Sequence, residues 1–193
     1  MPYILNAKPS PIIFEYADFF TEAECNTIIE IGEKLGPKFA QLYSGSPSGS
    51  LNDEVRKCGV SWIRPDEDTS WIFQKLGHLV KEVNEKYFHF AIQWGEDAQF
   101  TKYDASYQGF FGKHLDIIAF AGEAVRKISI SVQLNDEYEG GDLNIYTTEN
   151  PHVVQKKQGT VVVFPSFLLH EVTPVTSGVR YSLVNWVIGS RFL

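Results

Sequence analysis

The chain has 193 residues, of which 44% are hydrophobic and 14% aromatic, a composition that excludes a disordered chain and a disulfide-dependent miniprotein. Its 17 Lys and Arg residues against 24 Asp and Glu residues give a net charge of -7, which disfavours nucleic acid as a partner. The isolated cysteines Cys25 and Cys58 indicate a reducing compartment, and the first residues lack the parts of a signal peptide or membrane helix. We therefore expect one cytoplasmic domain over residues 1–193, without a membrane partner and with its oligomeric state left open.

The first 90 residues are expected to form a helical support. Residues 11–20 predict a short strand and turn, and Thr21 with Glu24 forms a capping box. The helix that begins there should end near Leu35, because Gly36 and Pro37 follow. Its buried stripe is expected to contain Ile28, Ile29, Ile31 and Leu35.

A segment rich in Ser and Gly, residues 41–55, separates this helix from the next predicted element. Its length and composition are typical of a loop that either closes over a substrate as a lid or serves as a spacer. Residues 56–63 predict a strand. A second helix should then begin with a cap among residues 68–70 and run to about Tyr87, since apolar residues recur at helical spacing.

From Gln99 onward the pattern changes to short β-rich runs broken by turn residues. These runs are 99–103, 127–134, 143–146, 160–164, 171–174 and 180–188, with turns at 139–142 and 176–178. Six strands at this spacing are typical of a sandwich, a barrel or a jelly roll. We expect this β core to cover about residues 97–189.

A candidate metal site is formed by His114, Asp116 and His170. In a strand, residues i and i+2 point to the same face, so His114 and Asp116 would present two neighbouring ligands. Two histidines and one carboxylate leave open positions on a metal, as in non-haem Fe(II) oxygenases, although such a site also accepts other divalent ions. The alternative is a surface His-Asp hydrogen bond, with His170 satisfied by backbone.

Arg180 opens an apolar strand ten residues after His170. A guanidinium cannot lose its charge, and its planar fork suits a carboxylate, so Arg180 indicates an anionic partner. That partner is either a ligand or, alternatively, an acid at the rim such as Glu171 or Asp142.

These residues resemble a known family. The set of His114, Asp116, His170 and Arg180, with Tyr103 eleven residues before the first histidine, is similar to the Fe(II) and 2-oxoglutarate dependent dioxygenases of the prolyl 4-hydroxylase superfamily. The segments RKISISVQLNDEYEGGDLNIY and GTVVVFPSFLLHEVTPVTSGVRYSLVNWV especially resemble its PKHD-type and phage-encoded branch. The resemblance implies an α+β, mainly β fold: a double-stranded β-helix, also called a jelly roll or cupin-like fold, braced by N-terminal helices.

The resemblance also implies roles for individual residues. His114, Asp116 and His170 would hold iron, and Arg180 would bind the distal carboxylate of 2-oxoglutarate. Tyr103 lies where members of the family place a tyrosine hydrogen-bonded to the cosubstrate, with core packing as the alternative. Gln133 stands where some members have a tyrosine on the cosubstrate carboxylate, and an amide can still donate there. The candidate substrate contacts are Tyr43, Arg56 and Trp186.

The implied reaction is hydroxylation of a C-H bond, with a prolyl residue in a peptide or protein as the first candidate substrate. It would consume O2 and convert 2-oxoglutarate to succinate and carbon dioxide, with ascorbate as an optional addition. One alternative keeps this chemistry but acts on a free amino acid or another small metabolite. The other is a cupin-like metal-binding module without oxygenase activity, in which Arg180 pairs with a protein acid.

Overall fold

Two antiparallel β-sheets face each other in the computed structural model, which describes residues 11–39, 55–118 and 124–192. The strands, in chain order, are β1 (Phe14–Tyr16), β2 (Lys38–Phe39), β3 (Arg56–Lys57), β4 (Gly59–Ile63), β5 (Ile92–Gly95), β6 (Ala98–Asp104), β7 (Phe110–His114), β8 (Ala124–Gln133), β9 (Tyr138–Gly140), β10 (Leu143–Tyr146), β11 (Pro151–Val153), β12 (Val161–Pro165), β13 (Leu169–Val172) and β14 (Val175–Ser190). The larger sheet has nine strands in the order β1-β12-β8-β14-β6-β4-β2, with β5 and β9 also paired to β14. The smaller sheet has five, in the order β11-β10-β13-β7-β3.

The first helix, α1 (Glu22–Lys34), begins at the predicted capping box. The backbone N-H of Glu24 donates to the Thr21 hydroxyl over 3.2 Å, and the Thr21 N-H donates to the Glu24 carboxylate over 2.7 Å. Ile28 is fully buried as expected, but the predicted burial of Leu35 is wrong, because this residue is 52% exposed. Leu35 is the C-cap, so its side chain lies beyond the last turn that packs on the sheet.

The second helix, α2 (Ser70–Val83), continues into a π-helical turn at Asn84–Phe88, so the predicted extent is right but its last turn is wider. The Asn84 amide fixes this end by donating to the Phe90 carbonyl and accepting from the Phe90 N-H, over 3.0 and 2.9 Å. In the described residues, no helix is long and apolar enough to cross a membrane.

Side chains that point to opposite faces of the larger sheet belong to two different hydrophobic clusters. On β8, Ile128, Ile130 and Val132 join the helices in one apolar cluster, while Ser129, Ser131 and Gln133 occupy the alternate positions. A second cluster, which includes Val162 and Phe164 of β12, lies between the sheets. The helices therefore cover the outer face of the larger sheet, and the inner face is left to carry polar groups.

One expectation about the C-terminal strands is corrected. The predicted strands 171–174 and 180–188 correspond to β13 and β14, which are separate as expected, but the turn predicted at 176–178 is wrong, because β14 runs without a break from Val175 to Ser190. The pairing with β9 shifts register between Val175 and Ser177, so the chain makes a bulge there, and Gly178, with a φ of 73°, pairs with Tyr138 as part of the strand. The turn at 139–142 is confirmed by positive φ values at Gly140 and Gly141.

Candidate functional site

The two candidate histidines lie directly opposite each other on neighbouring strands of the smaller sheet. His114 is the last residue of β7 and pairs with His170 of β13, with their ring centroids 4.1 Å apart. Asp116 follows β7, and one ligand atom from each of the three residues lies within 4.8 Å of the others. The structure therefore brings together the three residues that the sequence predicts as a metal site.

Contrary to the prediction from the sequence, Asp116 does not lie on the same strand as His114, because β7 ends at His114. Contacts with two other segments place the carboxylate instead. The Asp116 N-H donates to the Ser166 carbonyl over 3.0 Å, and the Ser129 hydroxyl donates to Asp116 Oδ2 over 2.7 Å. The alternative of a surface His-Asp pair is also excluded, since Asp116 is 6% exposed.

Backbone carbonyls determine which nitrogen of each imidazole is free. His114 Nδ1 lies 2.8 Å from the Gly112 carbonyl, and His170 Nδ1 lies 2.9 Å from the Leu168 carbonyl. Because a carbonyl only accepts, both Nδ1 atoms carry a proton, so in the neutral imidazoles both Nε2 atoms have a free lone pair. The Nε2 atoms lie 3.6 and 3.3 Å from oxygens of Asp116, so three electron-pair donors converge. This is the tautomer that metal ligation through Nε2 requires.

Burial and mutual contact set the charges of the triad. Burial alone would raise the pKa of Asp116, but the hydrogen bonds that His114 and His170 donate from Nε2 when they are protonated and no metal is bound hold that pKa well below its ordinary range. Burial lowers the pKa of His114. Burial would also lower the pKa of His170, but Asp116 outweighs it and raises that pKa. The pocket therefore combines an ionised carboxylate with imidazole donors, which is the donor set of a divalent cation site.

Arg180 is buried inside the fold, and no carboxylate of the described residues pairs with it. It is 1% exposed, and its Nη1 and Nη2 donate to Ser182 Oγ and Gln133 Oε1 over 3.1 and 3.0 Å. Its Nε has no hydrogen-bond partner in the described chain. The rim ion-pair alternative is wrong, because Asp142 pairs with Lys156 and Glu171 accepts from Tyr146.

The two predicted cosubstrate residues lie beside this guanidinium. Tyr103 of β6 is directly opposite Arg180 in the sheet, and Arg180 Cζ lies 5.2 Å from its ring centroid. Gln133 offers a buried Nε2 that has no partner among the described residues. A buried guanidinium without a nearby anion destabilises the folded protein, and here Arg180 Nε and Gln133 Nε2 also lack hydrogen-bond acceptors among the described residues. These residues therefore fit the carboxylate of a ligand.

A cavity of about 350 Å³ joins the triad to Arg180. Of the predicted substrate contacts, Arg56 and Trp186 line it, whereas Tyr43 and the predicted lid segment 41–54 lie outside the described residues. Residues that sequence reasoning missed also line the cavity: Trp62, Gln99, Phe111, Arg126, Ser129, Ser131 and Ser182. The available signal was a polar residue at every second position of β8, in a strand with apolar alternate positions.

Residues 98–188 match the family model described as the 2OG-Fe(II) oxygenase superfamily. This segment belongs to the 2OG-Fe(II) oxygenase superfamily. It contains the triad, Arg180, Tyr103 and Gln133, so the resemblance seen in the sequence is confirmed. A PKHD-type hydroxylase from Acinetobacter baumannii is 40% identical over 95 residues, which cover 46% of this chain and 41% of that relative. The matched part thus spans about two fifths of the curated relative's length.

Solved structures of prolyl hydroxylases share the fold. The viral collagen prolyl hydroxylase from Paramecium bursaria Chlorella virus-1 aligns with a TM-score of 0.72 at 20% identity, covering 93% of this chain and 97% of that one. A prolyl hydroxylase from Trichoplax adhaerens, in complex with a hypoxia inducible factor peptide fragment, aligns with a TM-score of 0.75 at 18% identity. It covers 92% of this chain and 84% of that one. The expected double-stranded β-helix is confirmed.

Proposed function

We propose that the chain is an Fe(II)- and 2-oxoglutarate-dependent dioxygenase that hydroxylates a C-H bond of a prolyl residue in a peptide or protein. The observation that carries the proposal is the buried Arg180 guanidinium, which lacks a carboxylate partner in the described chain and shares one cavity with the His-Asp-His triad. A metal site alone would fit many proteins. A buried arginine that needs a carboxylate partner, in the same cavity as the metal site, fits a keto acid with a second carboxylate.

In this proposal His114, Asp116 and His170 hold the iron through Nε2, a carboxylate oxygen and Nε2. When bound, iron and 2-oxoglutarate use O2 to supply the oxidising chemistry, in which the keto acid becomes succinate and carbon dioxide. The protein keeps both imidazoles in the ligating tautomer through the Gly112 and Leu168 carbonyls. It keeps the carboxylate ionised and oriented by contacts that exist before any ligand arrives.

Arg180 would orient the cosubstrate by binding its distal carboxylate. The guanidinium is already held by Ser182 and Gln133, so little side-chain freedom is lost on binding. The free Nε and the unpartnered Gln133 Nε2 provide further donors to that carboxylate. Tyr103, which is 2% exposed, closes the cavity beside Arg180 and excludes water.

Aromatic side chains support a peptide substrate at the other end of the cavity. Trp186 lies 6.2 Å from Trp62 between ring centroids, and Trp62 is 45% exposed. An apolar ring such as that of proline stacks favourably on such surfaces. The Trichoplax neighbour holds a peptide on the same fold, which supports this choice of substrate class.

The test is an anaerobic titration of the protein with Fe(II) and 2-oxoglutarate, followed by the visible charge-transfer band of the chelated keto acid. We expect a band in wild-type protein that His170→Ala abolishes and Arg180→Gln weakens by about tenfold or more in 2-oxoglutarate affinity. Arg64→Gln is the matched control, because Arg64 forms an exposed ion pair with Asp97. A wild-type protein that binds iron without developing the band would contradict the proposal and favour the metal-binding module.

Substrate class needs a separate readout. Succinate formation above the uncoupled rate is measured with proline-containing peptides and with free proline, and hydroxylated product is identified by mass spectrometry. Stimulation by peptides alone supports the prolyl peptide assignment. Stimulation by free proline alone would replace it with a small-metabolite substrate.

A further inference from the structure

A second arginine of the cavity, Arg56, also forms no ion pair with a carboxylate among residues 11–39, 55–118 and 124–192. It lies on β3, where its Nε donates to the sulfur of Cys58 over 3.0 Å. Its Nη2 is buried and has no hydrogen-bond partner within the part of the chain that the structure describes. Because all five N-H groups of a guanidinium are donors, this nitrogen has unused hydrogen-bonding capacity in a side chain that lines the cavity.

The position of Arg56 is fixed relative to the metal site. Arg56 pairs with Phe111 of β7, and its Cζ lies 4.4 Å from the centroid of that ring. The Phe111 ring stacks on His114, with centroids 3.6 Å apart. This stack places Arg56 on the smaller sheet beside the triad, whereas Arg180 belongs to the larger sheet. The two guanidiniums therefore enter the cavity from opposite walls.

Charge balance leaves Arg56 without compensation once the proposed ligands are present. An iron dication, a 2-oxoglutarate dianion, the Asp116 carboxylate and the Arg180 guanidinium together have no net charge. The third cavity arginine, Arg126, is neutralised by Glu96, which it contacts through Nε and Nη2 over 2.5 and 2.8 Å. Among the described lining residues, Arg56 is the cation that remains.

Of the polar groups near Arg56, Asp116 is a proposed metal ligand whose charge is already counted, and the other groups do not supply the missing negative charge. Burial raises the pKa of the Cys58 thiol, which therefore stays neutral at pH 7. Burial likewise raises the pKa of the nearby Tyr103 to about 12. A buried guanidinium without a counter-charge is unfavourable, and an anionic ligand group removes that penalty.

We propose that Arg56 receives a carboxylate of the substrate, so that the enzyme acts on a carbon that lies near an acidic group. This inference rests on the proposed function, because the charge balance assumes bound metal and 2-oxoglutarate. It makes Arg56 a specificity-determining residue. The cosubstrate carboxylate is assigned to Arg180, and Arg56 selects what is hydroxylated.

The test uses the protein loaded with Mn(II) and saturating 2-oxoglutarate, so that Arg180 is already occupied and turnover does not interfere. Acetate is the carboxylate probe and acetamide its neutral counterpart. We expect acetate, but not acetamide, to raise the midpoint of thermal unfolding saturably in wild-type protein, since it binds the folded state. Arg56→Gln should remove the response, whereas Arg64→Gln should keep it.

Three results would overturn the inference. The first is no acetate response in wild-type protein, which is informative even if a variant fails to fold. The second is an equal response in Arg56→Gln, which would place acetate on the metal. The third is a loss of 2-oxoglutarate affinity in Arg56→Gln as large as in Arg180→Gln, which would assign Arg56 to the cosubstrate. Failure of the proposed function is distinguished separately, because 2-oxoglutarate would then fail to stabilise the Mn(II)-loaded wild-type protein.

Discussion

The hydroxyl of Ser129 donates to Asp116 Oδ2 over 2.7 Å and joins the larger sheet to the carboxylate of the triad. Ser129 belongs to β8, whereas both histidines belong to the smaller sheet. The hydroxyl of Ser166 lies 2.9 Å from that of Ser129, and the Ser166 carbonyl accepts from the Asp116 N-H. The site is therefore assembled by the closure of one sheet on the other.

Ser129→Ala should weaken metal binding. Removal of the hydroxyl leaves Asp116 Oδ2 without a donor that orients it, and loss of such supporting hydrogen bonds costs about 10-fold to 100-fold in metal affinity. The measurement is a Mn(II) titration followed by electron paramagnetic resonance. Ser131→Ala is the matched control, because Ser131 lies two residues along the same strand and face and has no hydrogen bond to the triad. Equal affinities in the two variants would show that the Ser129 contact does not support the metal site.

Gln133→Glu should stabilise the unloaded protein and weaken 2-oxoglutarate binding. The new carboxylate would stand where Gln133 Oε1 now accepts from Arg180 Nη2 over 3.0 Å, and would supply the counter-charge that Arg180 lacks. Competition for the same guanidinium should lower cosubstrate affinity by about tenfold or more. Thermal unfolding without ligand and a 2-oxoglutarate titration measure the two effects.

Gln133→Met separates charge from packing at the same position. It keeps similar volume but removes the acceptor for Arg180, so the unloaded protein should become less stable, opposite in sign to Gln133→Glu. If Gln133→Glu binds 2-oxoglutarate as tightly as the wild-type protein, Arg180 is not the cosubstrate anchor.

Local signals predicted the parts of this molecule that depend on neighbouring residues in the chain. The capping box at Thr21 and the turn at Gly140 and Gly141 are confirmed because each is determined within a few residues. The triad was found from residue types and spacing that resemble a known family. The turn predicted at 176–178 was wrong because a bulge between Val175 and Ser177 lets this segment stay paired with β9, and the local sequence does not show that pairing.

Contacts between strands could not be predicted from local patterns. Ser129 reaches Asp116, and Arg56 reaches Phe111, only because particular registers bring distant strands together, and a shift of one residue would turn each side chain to the opposite face. The alternation of polar and apolar residues on β8 shows that Ser129 points to a different face from its apolar neighbours, but it does not show that Ser129 contacts Asp116. That contact is seen only in the folded structure.

Gly32→Ala should destabilise the protein without changing the site chemistry. A Cβ at Gly32 would lie 2.3 Å from the ring of Phe100, where α1 packs on the larger sheet. Overpacking of this kind costs about 1 to 3 kcal/mol. Gly77→Ala on α2 is the matched control, since no atom of the described residues lies within 4 Å of its added Cβ, and it should stabilise the protein by about 0.5 to 1 kcal/mol. Urea unfolding measures both, and a Gly32→Ala variant as stable as Gly77→Ala would contradict the close packing of α1.

Glu24→Gln should reduce stability in a way that depends on pH. The Glu24 carboxylate accepts from the Thr21 N-H and pairs with Lys75 over 2.7 Å. Burial alone would raise its pKa, but the hydrogen bonds from Lys75 and Thr21 lower it below the ordinary value. A carboxyl group whose pKa is lowered in the folded state binds protons more readily when unfolded, so its stabilisation is present above the unfolded pKa and is lost as pH falls through the folded pKa.

Wild-type protein should therefore be more stable than Glu24→Gln by about 0.5 to 1 kcal/mol at pH 7, because glutamine can still accept from the Thr21 N-H but loses the charge that pairs with the partly exposed Lys75. The difference should shrink as the pH falls below about 4, where the unfolded carboxyl group becomes protonated. Urea unfolding at several pH values measures it. Glu22→Gln is the control in the same first turn of α1, where the side chain is exposed and makes no cap contact, and it should show a smaller difference at every pH. A Glu24→Gln deficit that stays constant down to acid pH would mean that the lost stability comes from packing and not from the ionised carboxylate.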